Sequence, residues 1–188
     1  MTLAEQTQAH AARLVRLTAD TFEDHVVGLA EVLTACVLDG ASVSFVDPFS
    51  PTDALRFWRG KVLPGVVAGD VDLIVALVGD EVAGTVQLAA DTPANQPQRA
   101  DVRKLLVHPK HRRKGIARSL MLEAEACAAA RSRSLLTLDT RTGDAGEQLY
   151  LDLGYQVIGH IPAYALDPRK QRFEGCTLMY KQLAQLPG

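Results

Sequence analysis

Seven basic side chains, Arg103, Lys104, Lys110, Arg112, Arg113, Lys114 and Arg118, fall with two histidines and no acid between positions 103 and 118, although the chain as a whole carries a net charge of −2. Seven of 20 basic residues in so short a stretch point to a focused anionic ligand, since nonspecific polyanion binding needs a wide basic face. Within the block, Leu105-Leu106-Val107-His108-Pro109 reads as the end of a strand, Lys110 to Lys114 as a turn, and Gly115-Ile116-Ala117 as the start of a helix. That arrangement aims free backbone N–H groups and the positive end of a helix dipole at a phosphate. Gly115 and Ala117 are small enough to let oxygens approach the main chain, and Arg112, Arg113, Lys114 and Arg118 add charge there. Neither GxxxxGK[ST] nor GxGxxG is present, so the turn is not a Walker or dinucleotide loop. The competing reading of the block is a solvated face; the strand, glycine and helix around it favour the phosphate.

The elements that must hold this turn follow from periodicity. Arg13 to Leu17 reads as a strand, Thr18 as an N-cap, and Phe22 to Val37 as a helix stopped by Gly40. Residues 41–49 read as an irregular connection, with a second helix from Ser50-Pro51 through Val62. Val71–Val78, a Gly79-Asp80 turn and Val82–Ala90 predict a hairpin; Thr92–Arg99 a loop; Val102–Val107 a third strand of this run. Gly115 to Arg131 is helical, Leu135–Leu138 a short strand, and Asp144–Leu153 a helix with an Asp144/Glu147 capping box and Gly154 as its stop. Tyr155–Ile161 and Cys176–Tyr180 close the chain as strands around a polar 162–173 loop. The order β-α-α-β-β-β-α-β-α-β-β predicts an α/β fold, a central mixed sheet with helices on both faces, in which the strands ending at Val107 and Leu138 run parallel.

Composition bounds the class. The chain has 188 residues, is 47% hydrophobic and 22% charged, and its mean hydropathy of +0.03 describes one globular domain, here 13–182, with 1–12 and 183–188 as flexible ends. The longest apolar run, Leu73–Val78, is too short to span a bilayer. Met1–Ala12 lacks the pattern of a secretory signal. Cys36, Cys127 and Cys176 are odd in number and lack ligand spacing, and His108 and His111 have no third ligand nearby, so no metal is expected. These features predict a cytoplasmic protein without membrane or nucleic-acid partners. Trp58 reads as core.

Leu105-x-Val107-x-Pro109-x-x-Arg112-x-x-Gly115-x-Ala117, followed by Leu149-Tyr150-x-x-x-Gly154-Tyr155, resembles the acetyl-CoA signature of the GNAT superfamily of N-acetyltransferases. Gly40-Ala41-Ser42-Val43-x-Phe45, Leu135-Leu136-x-Leu138-Asp139-Thr140 and Gly159-x-x-Pro162-x-Tyr164 resemble its tabtoxin-resistance branch. Two positions depart: Gly143 stands where an asparagine is usual, and Arg113 where glycine is frequent. The resemblance implies a GNAT-like fold and transfer of acetyl from acetyl-CoA to the amine of a small molecule, such as an amino-acid-like toxin or metabolite. It implies a cofactor site of Leu105, Leu106, Val107, Arg112, Arg113, Lys114, Gly115, Ile116, Ala117, Arg118 and Tyr150.

For such a reaction Asp101 or Asp139 could be the base, a backbone N–H near Val107 the oxyanion donor, and Tyr150 the acid that protonates the leaving thiolate. The plainer alternatives are a core Tyr150, an Asp139 that caps or pairs with Arg141, and an Asp101 that is a solvated strand end. Phe45, Asp47, Phe49 and Tyr164 are the expected acceptor contacts, with Asp47 available to a cationic acceptor. An acyl-CoA-binding sensor without turnover is the competing class. Monomer and homodimer are both compatible with the sequence.

Overall fold

The computed structural model describes residues 12–183. The sequence readings of 1–11 and 184–188, including the signal-peptide reading and most of both flexible ends, lie outside the described residues. Ala12 and Leu183, counted among the flexible ends, instead pack against the core, and the Leu183 N–H donates to the Ser134 carbonyl at 2.8 Å.

Strand β1 (Arg13–Leu17) leads to helix α1 (Ala19–Leu38), whose Thr18 cap exchanges bonds with Thr21. The helix stops at Gly40 (φ +92°), where Gly40 N–H reaches Val37 O and Ala41 N–H reaches Cys36 O, a closure that needs a left-handed residue. After the irregular 41–49 segment, α2 (Pro51–Phe57) starts at the Ser50 cap, passes through a π-helical turn (Trp58–Val62) and continues as α3 (Leu63–Ala68). Then follow β2 (Val71–Val78), β3 (Glu81–Ala89), β4 (Arg99–Val107), α4 (Ile116–Ala130), β5 (Leu135–Arg141), α5 (Ala145–Asp152), β6 (Gln156–Leu166) and β7 (Phe173–Gln182).

These strands form one sheet in the order β1-β2-β3-β4-β5-β7-β6, in which only β4 and β5 are parallel. Alternation along β2 splits the core: Ile74 and Ala76 join α4 and α5 on one face, while Leu73, Val75 and Leu77 join α1 and α2 on the other. Trp58 is fully buried on the second face and donates its indole N–H to Leu29 O at 3.0 Å.

Four local expectations change. Strand β5 runs three residues past Leu138, because Asp139, Thr140 and Arg141 pair with Leu178, Thr177 and Cys176. Half of the expected 162–173 loop is strand, since β6 bulges between Ile161 and Ala165 and pairs again up to Leu166 opposite Phe173. Arg99 belongs to β4 rather than to the preceding loop, being paired with Leu135. Asp144 caps α5 through the Gly146 N–H, but Glu147 accepts from the Gly143 N–H instead of closing a capping box.

Candidate active site

Strand β4 ends at Val107, and a 3-10 turn (Pro109–His111) leads to Gly115. Gly115 sits at φ +80°, and a Cβ built there would meet nothing within 4 Å, so the main chain at this point is bare and open. No side chain caps α4 and its first turn holds no acid, which leaves the leading amides of a 15-residue helix free for an anion. Gly84 sets the position of this turn. A Cβ on it would lie 2.7 Å from Leu106 O and 3.3 Å from both Leu120 and Val107, so only glycine lets β3, β4 and α4 converge.

The basic block divides. Arg112 folds back to Asp39 and donates to Val107 O at 3.3 Å, bracing the turn from beneath. Lys110 pairs with Glu81, and Arg118 stands 3.7 Å from Asp152. Arg113, at φ +63°, and Lys114 are exposed and have no ion pair among the described residues, so they are the charges left at the helix start. Arg103 and Lys104 lie further back on β4, away from this turn.

Beside the turn the sheet opens. Strands β4 and β5 pair only at Arg99–Leu135, Ala100–Leu136 and Asp101–Thr137, and beyond that the parallel strands separate. On its other edge β4 is bulged against β3, Thr85 facing Leu106 but Gln87 facing Arg103, and Lys104 takes φ +50°. The His108 N–H donates to Ala83 O at 2.9 Å, so alternation turns the Val107 N–H to the opening between β4 and β5. Leu105 and Val107 pack toward the α4 side and Leu106 toward α1, while Ile116 is buried and Ala117 partly covered at the start of α4.

Two carboxylates and a phenol border this opening. Asp101 is committed: it pairs with Arg99, accepts from Arg103 at 3.0 Å and accepts from the Thr137 hydroxyl. Asp139 is exposed, with the Cys176 thiol at 4.0 Å, and does not pair with Arg141. Arg141 goes instead to Asp144 (2.9 Å), Glu174 (3.1 Å) and Gly40 O (3.1 Å). Tyr150 lies buried on α5 with its ring 5.7 Å from Tyr155, and its hydroxyl has no hydrogen bond among the described residues. Burial first, then the carboxylates of Asp139 and Asp144, push its pKa above the usual tyrosine range. The phenol is therefore held protonated, as a proton donor must be.

Phe45 packs at a tilt against Phe49 (4.6 Å) and edge-on against Phe57 (5.1 Å), and these rings line an apolar groove of about 510 Å³. Lys104 brings its ammonium to 5.7 Å and 5.8 Å from the Phe45 and Phe57 rings. Asp47 is exposed, its backbone N–H tied to Pro168 O at 2.8 Å. Tyr164 is 54% exposed on β6 and stands outside the aromatic cluster. Sequence reasoning missed Phe57 and Lys104; the only signal for Phe57 was its place in a helix next to Trp58, and Lys104 was hidden in the basic block. A second groove of about 510 Å³, polar and lined by Arg141, Gly143, Asp144 and Glu174, opens at the start of α5.

Residues 69–157 match the family model described as the acetyltransferase (GNAT) domain. Among solved structures, the chain is similar to yncA, a putative acetyltransferase from Salmonella typhimurium with its cofactor acetyl-CoA, at 17% identity, TM-score 0.72, and 94% and 96% of the two chains. It is similar to a GNAT superfamily phosphinothricin acetyltransferase from Sinorhizobium meliloti in complex with AcCoA, at 20% identity, TM-score 0.71, and 93% and 89%. A ribosomal-protein-alanine N-acetyltransferase from Brucella melitensis matches at 16% identity, TM-score 0.71, and 91% and 99%. At such identities the structural likeness speaks to fold. Among the described residues no helix is long and apolar enough to cross a membrane. The family match spans β2 to the start of β6 and so contains the uncapped α4 turn, the opening between β4 and β5, and Tyr150, and the fold of GNAT acetyltransferase structures is shared along nearly the whole length of the chain.

Proposed function

We propose that this protein transfers acetyl from acetyl-CoA directly to the amine of a small molecule, with an amino-acid-like toxin or metabolite as acceptor. The observation that carries the reading is the bare Gly115 main chain at an uncapped helix start, beside the unpaired edge of β4 and a buried Tyr150. The donor set suits a pyrophosphate: free amides after Gly115, with Arg113 and Lys114 uncommitted beside them.

When bound, acetyl-CoA supplies an activated acyl group as a thioester. The chain's residues then divide the work. The amides from Ile116 onward, Arg113 and Lys114 hold the phosphates. The Val107 N–H orients the acyl carbonyl and stabilises the charge that its oxygen gains. Asp139, uncommitted where Asp101 is neutralised by two arginines, takes the proton of the attacking amine. Tyr150 gives its phenolic proton to the departing sulfur and recovers one from solvent. Gly143 in place of the usual asparagine leaves the pantetheine arm without one side-chain contact.

The amino-acid-like acceptor is supported by resemblance to the tabtoxin-resistance branch and by similarity to a phosphinothricin acetyltransferase, though the Brucella melitensis relative is described as acting on a protein. The test is thiol release from acetyl-CoA across small amines, with Tyr150→Phe as control. Turnover that falls about a hundredfold in the variant, with acetyl-CoA affinity unchanged, is the expected result. Tight acetyl-CoA binding without turnover on any amine sinks the enzyme reading and leaves an acyl-CoA-binding module.

A further inference from the structure

The two strands that border the opening carry six charged side chains: Arg99, Asp101, Arg103 and Lys104 on β4, and Asp139 and Arg141 on β5. Four are neutralised within the protein. Arg99 and Arg103 hold Asp101, Arg103 also reaches Asp91 at 3.3 Å, and Arg141 holds Asp144 and Glu174. Lys104 and Asp139 remain, and among the described residues neither has an opposite charge within 4 Å. One uncommitted positive and one uncommitted negative group thus stand on opposite lips of the same opening.

They also share a face. Leu136 and Leu138 point into the α4 side of the core, so Asp139, the next residue after Leu138 in the alternation, projects to the α1 side. Lys104 reaches that side too, its ammonium lying over Phe45 and Phe57 and 3.3 Å from the Ser44 hydroxyl. The bulge puts it there: with Lys104 at φ +50°, β4 shifts register between Arg103 and Leu106. A half-buried ammonium partnered only by ring faces and one hydroxyl is undercompensated, and an anion arriving beside it would be strongly held. Burial accordingly draws the Lys104 pKa below the ordinary lysine range, and the Asp139 carboxylate partly offsets this.

We propose that Lys104 is the acceptor-specificity residue of this site: its ammonium binds the anionic group of a zwitterionic acceptor whose amine is directed to Asp139. An α-amino acid, which carries amine and carboxylate on one carbon, presents the two charges side by side as the two lips do. A simple alkylamine meets Asp139 but leaves Lys104 undercompensated. The Phe45 and Phe57 rings beneath Lys104 offer an apolar wall to the acceptor's side chain. This inference rests on the acetyl-transfer reading of the same site and adds to it the charge type of the acceptor.

The experiment uses the full chain and a panel of proteinogenic α-amino acids and phosphinothricin, each set against the amine that lacks its carboxylate, with both turnover and binding in the presence of CoA measured. The expected result is a preference for the zwitterion of at least about tenfold in kcat/KM, the worth of one charge-assisted contact. Lys104→Met lowers kcat/KM for zwitterions by about tenfold to a hundredfold while leaving carboxylate-free amines within about twofold, and Lys104→Arg restores part of the loss. Equal losses for both members of each pair, a wild-type preference for the carboxylate-free amines, or no zwitterion bound or acetylated overturns the inference. Calorimetric binding of acetyl-CoA to the same preparations separates the two failures: an intact cofactor site with carboxylate-free amines acetylated condemns the Lys104 assignment alone, whereas loss of acetyl-CoA binding in the wild type condemns the acetyl-transfer reading.

Discussion

Replacing Gly115 by alanine separates the cost of a backbone conformation from the cost of a lost ligand contact. The residue sits at φ +80°, where an L side chain is strained, yet the added Cβ would meet no protein atom within 4 Å. The folding penalty is therefore conformational alone, about 1–2 kcal/mol. For a chain of this size that corresponds to a fall in Tm of about 2–8 °C. The same methyl group, which touches no protein atom, would occupy the open ground through which phosphate oxygens are proposed to approach the free amides of α4. Losing one or two charge-assisted hydrogen bonds should weaken acetyl-CoA by about tenfold to a hundredfold or more. Gly79→Ala is the matched control, since Gly79 also has positive φ (+61°) and open space around its Cβ but lies in the β2–β3 hairpin turn. Thermal melts of the unliganded variants and acetyl-CoA titration by calorimetry read the two effects separately. The two variants should melt alike and bind differently. If Gly115→Ala binds acetyl-CoA as tightly as Gly79→Ala does, no phosphate rests on this turn and the reasoning fails.

The two candidate bases should respond in opposite ways. Asp139→Asn is expected to cut kcat by about a hundredfold or more with little change in Tm, whereas Asp101→Asn should mainly destabilise, because Arg99 and Arg103 would lose their shared carboxylate. Urea melts and single-turnover rates on both variants check this, and a catalytic defect confined to Asp101→Asn would reverse the assignment. Alkali should also weaken the fold. Burial, reinforced by Glu125 at Tyr155 and by Asp139 at Tyr150, raises both phenol pKa values, so the folded chain keeps protons that the unfolded chain releases. The stability they contribute is complete below the unfolded tyrosine pKa of about 10 and is lost as pH rises above it. A urea midpoint that drops between pH 8 and pH 11, less steeply in Tyr155→Phe, is the expected outcome; identical slopes would show that Tyr155 does not report on folding.

The turn from Val107 to Ala117 was legible because each of its signals is local: a strand-ending proline, a glycine that tolerates positive φ, and an apolar face recurring at helical spacing. Thr18, Ser50 and Gly40 announced their caps for the same reason. The ends of β5 and β6 were less legible, since Asp139–Arg141 and Ala165–Leu166 are strand only because β7 pairs with them. Local propensity carries no record of a partner strand that lies far along the chain.

Charge shows the division most sharply. The sequence by itself determined that seven basic residues gather around one strand-turn-helix junction, and hence that an anion is to be expected there. Only the tertiary structure decided which charges remain available. Arg112 is consumed by Asp39, 73 residues away, and Arg141 by Glu174 and Gly40, while Lys104 is brought against rings 59 and 47 positions before it. A side chain's type is written at its own position, but its free charge is what remains after every neighbour in space has been paired, and those neighbours are assembled by the sheet and its two cores.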